Sequence, residues 1–125
     1  MFSVLIVDDT PASAAALVDI LTIKGFTAYQ ASSGRQALQI MREHPIDLLL
    51  TDVIMPEMDG VALYRLTRKE FPGLITILMT AYAADELIQQ GMAEGIKTVL
   101  NKPIDIDFLI LLFSTYRKRK EGENF

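Results

Sequence analysis

Ile46-Asp47-Leu48-Leu49-Leu50-Thr51, followed at once by Asp52, is an apolar run with one charged residue near its entry and polar residues at its exit. No wet face is marked out along it, so the run reads as a strand buried on both sides. Working outward, Val4–Val7 is a second such run and leads into Asp8-Asp9. Leu74–Met79 leads into Thr80, and Ile96–Leu100 is followed closely by Lys102. Phe26–Gln30 is a weaker strand, suited to a sheet edge.

Amphipathic segments separate these strands. Thr10-Pro11 reads as an N-cap with proline at the first helical position, and Ala14, Leu17, Val18 and Leu21 follow at helical spacing up to Gly25. Ser33 opens a second helix that carries Ala37, Leu38 and Met41 inward and closes before Pro45. Helices are also expected over Gly60–Phe71, Ala84–Glu94 and Ile104 to about Arg117. Five strand–helix units with short connections predict one α/β domain, a parallel sheet with helices on both faces. Its limits are expected at residues 1–117, with 118–125 a C-terminal tail or linker stub.

Composition narrows the function. Of 125 residues, 50% are hydrophobic, enough to bury a core. The net charge of −4 argues against direct nucleic-acid binding by this domain, and the basic run Arg117–Lys120 reads first as the charged last turn of a helix. With no cysteine and one histidine, His44, thiolate chemistry, disulfides and multi-histidine metal sites are excluded. No membrane-spanning stretch or signal peptide is visible, so a cytoplasmic location is expected.

In open parallel sheets, ligands bind at the carboxyl ends of the strands. Asp8 and Asp9 end strand one, Asp52 strand three and Thr80 strand four, while Lys102 follows strand five. Singly, each has a plain structural reading as cap, turn or surface lysine; it is their joint placement on one rim that is informative. Clustered carboxylates repel one another unless a hard cation such as Mg²⁺ neutralises them. Lys102 and Thr80 can donate to the oxygens of an incoming phosphoryl group, and Asp52, on the central strand, is the expected nucleophile.

Leu5-Ile6-Val7-Asp8-Asp9, Leu50-Thr51-Asp52-Val53-Ile54-Met55-Pro56-Glu57-Met58-Asp59-Gly60, Met79-Thr80-Ala81 and Lys102-Pro103 together resemble the receiver domains of two-component response regulators, over nearly the whole chain. The resemblance implies a flavodoxin-like sheet in the order 2-1-3-4-5. It implies that Asp52 is phosphorylated by a sensor histidine kinase or histidine phosphotransfer protein. Mg²⁺ would be held by Asp9, Asp52 and the backbone carbonyl of Ile54, with Asp8 acting largely through water. Thr80 and Lys102 would contact the phosphoryl oxygens, and the Lys102–Pro103 bond would be cis. Its own catalysis would be limited to self-phosphorylation and autodephosphorylation, serving as a signalling switch in a phosphorelay. Helix 4, strand 5 and helix 5 would form the changing surface, and a possible homodimer contact. Asp59-Gly60 reads as the turn into the third helix and stays outside the metal set.

The family usually has an aromatic residue at the position of Val99. Either the readout runs through the loop after Thr80, or Tyr82 substitutes, or Val99 only fills space. Gly91 within the fourth helix suggests a soft element. Phe108 and Leu111 fall outside the apolar arc of the last helix and suggest a partner face. Three other readings compete. A Mg²⁺-dependent aspartyl-phosphate phosphatase needs a second acid/base Asp two residues beyond the nucleophile, where this chain has Ile54. A phosphorylation-independent pseudo-receiver would not require the complete residue set seen here. A flavin binder is disfavoured because Asp8-Asp9 would repel phosphate.

Overall fold

A computed structural model describes residues 1–82 and 85–122. Five strands, β1 Ser3–Val7, β2 Thr27–Ala31, β3 Leu48–Asp52, β4 Ile75–Thr80 and β5 Thr98–Asn101, alternate with five helices. The helices are α1 Pro11–Ile23, α2 Gly34–Glu43, α3 Gly60–Glu70, α4 Glu86–Glu94 and α5 Ile106–Lys120. All strand pairs are parallel, in the order β2-β1-β3-β4-β5. This is the flavodoxin-like α/β architecture expected, with the weak strand β2 at an edge.

The period of two along a strand explains both faces. Val4, Ile6, Leu48 and Leu50 join Leu17 and Leu21 of α1 and Leu109 and Phe113 of α5 in one core. Leu5, Val7 and Leu49 face the opposite way, against Leu38 and Met41 of α2 and Leu63 of α3. A third cluster joins Val61 and Tyr64 of α3, Leu78 of β4, Ile88 of α4 and Ile96. Each fully buried leucine or isoleucine here contributes roughly 1.5–3 kcal/mol.

Element ends differ from the sequence expectations where side chains have local work. Asp47 lies below β3, because its Oδ2 accepts the Ser3 N–H at 2.8 Å. Phe26 is not in β2; its N–H closes the end of α1 on the Leu21 carbonyl at 3.0 Å, after Gly25 at φ 90°. Ile96 closes α4 likewise on Gly91, after Gly95 at φ 125°, so β5 starts two residues later than expected. The capping carboxylate of Asp105 accepts the Phe108 N–H, moving the start of α5 to Ile106. That helix also passes Arg117 without a break and ends at Lys120. The expected start of the fourth helix at Ala84, and residues 123–125 of the tail, lie outside the described residues. Among the described residues no helix is long and apolar enough to cross a membrane.

Gly91 is also a packing contact. A Cβ there would meet Ile96 Cδ1 at 2.6 Å and Val61 Cγ2 at 3.3 Å, so the glycine lets α4 seat against α3 and the strand entry. Helix propensity alone makes Gly91→Ala a gain of about 1 kcal/mol. Overpacking of a buried seat costs about 1–3 kcal/mol. Urea denaturation is therefore expected to show Gly91→Ala less stable than the parent, and Ile96→Val in the same chain to recover most of the loss. A gain in the single variant would contradict the tight seat.

Thr76, 2% exposed, has a buried hydroxyl with no hydrogen-bond partner among the described residues. Burying such a group without a bond costs about 1–3 kcal/mol. Thr76→Val keeps the shape and removes the group, so it is expected to raise stability by about 1 kcal/mol; a loss in the denaturation midpoint would refute this.

Candidate functional site

The strand order reverses between β1 and β3, which places the ends of these neighbours beside one crevice. Asp52 is the last residue of β3, and Asp8 and Asp9 directly follow β1. One carboxylate oxygen from each of the three lies within 4.8 Å of the others. Asp8 is 1% and Asp52 8% exposed, whereas Asp9 is open to solvent. Lys102 arrives from the end of β5, its backbone N–H bonded to the Thr80 carbonyl at 2.8 Å. Its Nζ donates to Asp52 Oδ2 at 2.7 Å and lies 3.5 Å from Asp8 Oδ2. All five polar residues expected on this rim therefore end neighbouring strands, and four of them form one charged cluster.

Three carboxylates share one ammonium. Burial pushes the Asp52 carboxyl above the ordinary carboxylate range, and the charges of Asp8 and Asp9 add to this while Lys102 opposes it. Burial pulls Lys102 down, but its hydrogen bond and charge pairing with Asp52, with Asp8 behind them, outweigh burial and raise it overall. The lysine thus stays an ammonium.

Asp8 serves the loop with one oxygen only. Its Oδ1 accepts the Thr10 N–H at 2.9 Å, while the buried Oδ2 has no hydrogen bond among the described residues, only the Lys102 ammonium 3.5 Å away. Thr10 sits at the N-cap of α1 as expected, but its hydroxyl makes no capping bond. An Asp8 oxygen with only a distant ammonium for company and the all-oxygen donor set fit a hard divalent cation of the Mg²⁺ type. Ile54, two residues beyond Asp52, has an exposed side chain, and its carbonyl accepts no backbone hydrogen bond among the described residues.

Thr80 is 2% exposed, and its Oγ1 accepts the Tyr82 N–H at 3.0 Å. Among the described residues its hydroxyl proton has no acceptor. The Tyr82 side chain is 65% exposed. Val99 packs partly buried against the cluster that holds Tyr64. The Tyr64 hydroxyl donates to the Glu94 carbonyl at 2.7 Å, and Arg65 pairs with the Glu94 carboxylate at 2.7 Å. The C-terminal end of α4 is thereby tied to α3. The Lys102–Pro103 bond is cis, as expected.

Two supports of the site were not legible beforehand. Gly60, expected only as part of a turn, is pressed against the Asp52 carbonyl, where any Cβ would collide. Met58 lies flat on Gly34 at the start of α2, tying the loop after Asp52 to a second helix. A short side-chain spacing rule cannot find either contact, because both join residues of different elements. Asp59 caps α3 by accepting the Ala62 N–H at 2.8 Å.

A five-stranded sheet in this order, with acidic residues and a lysine at its switch point, is the architecture of a receiver. The family model for the response regulator receiver domain matches residues 4–113, and the chain belongs to that family. It is 38% identical over 106 residues to the transcriptional regulatory protein ZraR of Escherichia coli strain K12, covering 85% of this chain and 24% of ZraR. It is 34% identical over 116 residues to the sensor histidine kinase RcsC of Escherichia coli, covering 93% of this chain and 12% of RcsC. The receiver domain of Francisella response regulator 1452 matches it with a TM-score of 0.86 at 28% identity, covering 96% of this chain and 99% of that one. The chain thus spans a quarter or less of these two curated relatives.

Proposed function

We propose that this receiver domain is a phosphorylation-dependent switch in which Asp52 accepts a phosphoryl group from the phosphohistidine of a sensor histidine kinase or histidine phosphotransfer protein. The observation that carries the reading is the cluster itself: Lys102 Nζ 2.7 Å from Asp52 Oδ2, with Asp8 and Asp9 oxygens within 4.8 Å. An Asp52 oxygen attacks phosphorus as the bond to the donor nitrogen breaks, leaving an aspartyl phosphate. Lys102 and the Thr80 hydroxyl donate to the phosphoryl oxygens. Asp9, Asp52 and the Ile54 carbonyl would hold Mg²⁺, with Asp8 acting largely through water. The ion, when bound, offsets charge on the carboxylates and the phosphoryl group.

On this reading the domain works in the cytoplasm and turns over nothing beyond its own phosphate. Residues 1–117 form the receiver, and 118–125 its tail or the start of a linker, α5 running into that tail as far as Lys120. The output surface is α4, β5 and α5, where Phe108 and Leu111 are 49% and 65% exposed, offered to a partner or a second copy. Redirecting the Thr80 hydroxyl toward a phosphoryl group would disturb its bond to the Tyr82 amide, a readout that needs no aromatic at Val99.

The test is incubation with acetyl phosphate and Mg²⁺ followed by intact-mass measurement. A single adduct of about 80 Da that fails to form in excess chelator is expected. An unmodified parent would sink the reading, and sustained turnover of a generic phosphate ester would favour a phosphatase instead.

A further inference from the structure

The loop between β3 and α3 holds a thioether against the frame of the site. Gly34 opens α2, and a Cβ placed on it would meet Met58 Sδ at 2.6 Å and Cγ at 3.2 Å. Sulfur therefore occupies the space above that glycine. Met58 is also packed, partly buried, against the cluster of Leu38, Met41, Met55 and Leu63. With Ser33, Gly34, Arg35, Pro56 and Glu57 it lines a surface pocket of about 150 Å³, room enough for a small peroxide beside it.

The loop around it has little slack. Glu57 holds φ at 69°, the Met58 N–H bonds back to the Pro56 carbonyl at 2.7 Å, and Gly60 is wedged against the Asp52 carbonyl. Met58 ties this segment to the start of α2, beside the buried Met55 of the same loop, which packs in the cluster of Leu38 and Met41. The remaining methionines are placed differently. Met41, Met55 and Met79 are 5%, 8% and 0% exposed, whereas Met1 and Met92 are exposed at 94% and 38% but are not packed against this loop.

We propose that Met58 is an oxidant-sensitive latch of this site. A peroxide transfers one oxygen to the sulfur lone pair: the O–O bond breaks, an S–O bond forms, sulfur loses two electrons and the peroxide leaves as water or alcohol. The product sulfoxide is polar and bulkier. Gly34 leaves it no room on one side, and its apolar seat disfavours it on the other. The loop then shifts, and with it the Asp52 end of β3 and the Ile54 carbonyl. The effect on phosphoryl acceptance rests on the proposed role of Asp52; the oxidation and the loop shift do not.

The parent, Met58→Leu and Met92→Leu proteins are treated with hydrogen peroxide, mapped for the gain of about 16 Da per sulfoxide, and assayed with acetyl phosphate and Mg²⁺. Met58 is expected to oxidise alongside Met92, to move the amide resonances of Gly34 and Gly60, and to slow adduct formation roughly tenfold, the scale of a small misplacement at a reacting group. Methionine sulfoxide reductase should restore the rate, and Met58→Leu should keep its rate although Met1 and Met92 oxidise. A Met58 that stays unmodified while Met92 is converted would overturn the proposal. So would an equal loss in Met58→Leu, or a Met58 sulfoxide with unmoved amides and an unchanged rate. If the untreated parent forms no adduct, the role of Asp52 fails, and the mass map with the amide shifts still decides the latch.

Discussion

The Asp52→Asn protein, incubated with Mg²⁺ and acetyl phosphate, is expected to keep its unmodified mass while the parent acquires its adduct. The amide matches the carboxylate in shape but has no oxygen able to form the acyl phosphate. The loss should be at least about a thousandfold, the scale seen when a nucleophile is deleted. Lys102→Ala removes one charged donor to the phosphoryl oxygens and should slow the reaction about 100-fold without abolishing it. That ranking separates the acceptor from its helpers. An adduct that persists in Asp52→Asn would move the chemistry elsewhere on the rim.

The same variant carries a stability signature with a definite sign. The Asp52 carboxyl is held above its ordinary range, first by burial and then by Asp8 and Asp9, against the pull of Lys102. A raised folded-state pKa means the ionised form is disfavoured by folding. The penalty is absent at pH below the ordinary aspartate value and grows as pH rises through the raised one. Without a divalent cation, Asp52→Asn should therefore melt at or above the parent at about pH 7, the gap closing toward about pH 4. Thermal melts across that range check the sign.

The strands and their order could be read from the sequence because continuous apolar runs admit few packings. Leu48-Leu49-Leu50 must be covered on both faces, and the structure covers them with α1 and α5 on one side and α2 and α3 on the other. The polar residues at the strand ends then converged by topology alone. What could not be read was pairwise and three-dimensional. Asp47 looked like part of a strand and is a clamp on Ser3. Gly91 looked like a weakness and is a contact. The run Arg117–Lys120 reads as the charged last turn of a helix, and within it the Arg117 guanidinium lies 4.2 Å from the centre of the Phe26 ring and donates to the Lys24 carbonyl. Nothing in the local pattern of α5 marks the arginine that closes over α1.

That closure points to the largest stability effect expected in the chain, Phe113→Ala. Phe113 is fully buried, and its ring meets Phe26 edge-on at 6.2 Å, while Phe26 meets Phe2 at 6.2 Å on its other side. The three rings join α5, the end of α1 and the start of β1, with Arg117 above the middle one. Truncating a buried phenylalanine costs about 3–5 kcal/mol, through lost burial and the cavity left behind. Domains of this size have only about 5–15 kcal/mol in total, so the variant should unfold at a much lower urea concentration with an unchanged slope. Phe108→Ala serves as the contrast: that ring is half exposed on the same helix, and its loss should change stability by less than about 1 kcal/mol. Phe113 packs in the core cluster of Val4, Ile6, Leu48 and Leu50 rather than in the charged cluster of the rim, so below its melting point Phe113→Ala should still accept a phosphoryl group at Asp52. A variant that stays folded but no longer forms the adduct would show instead that the seating of α5 governs the site.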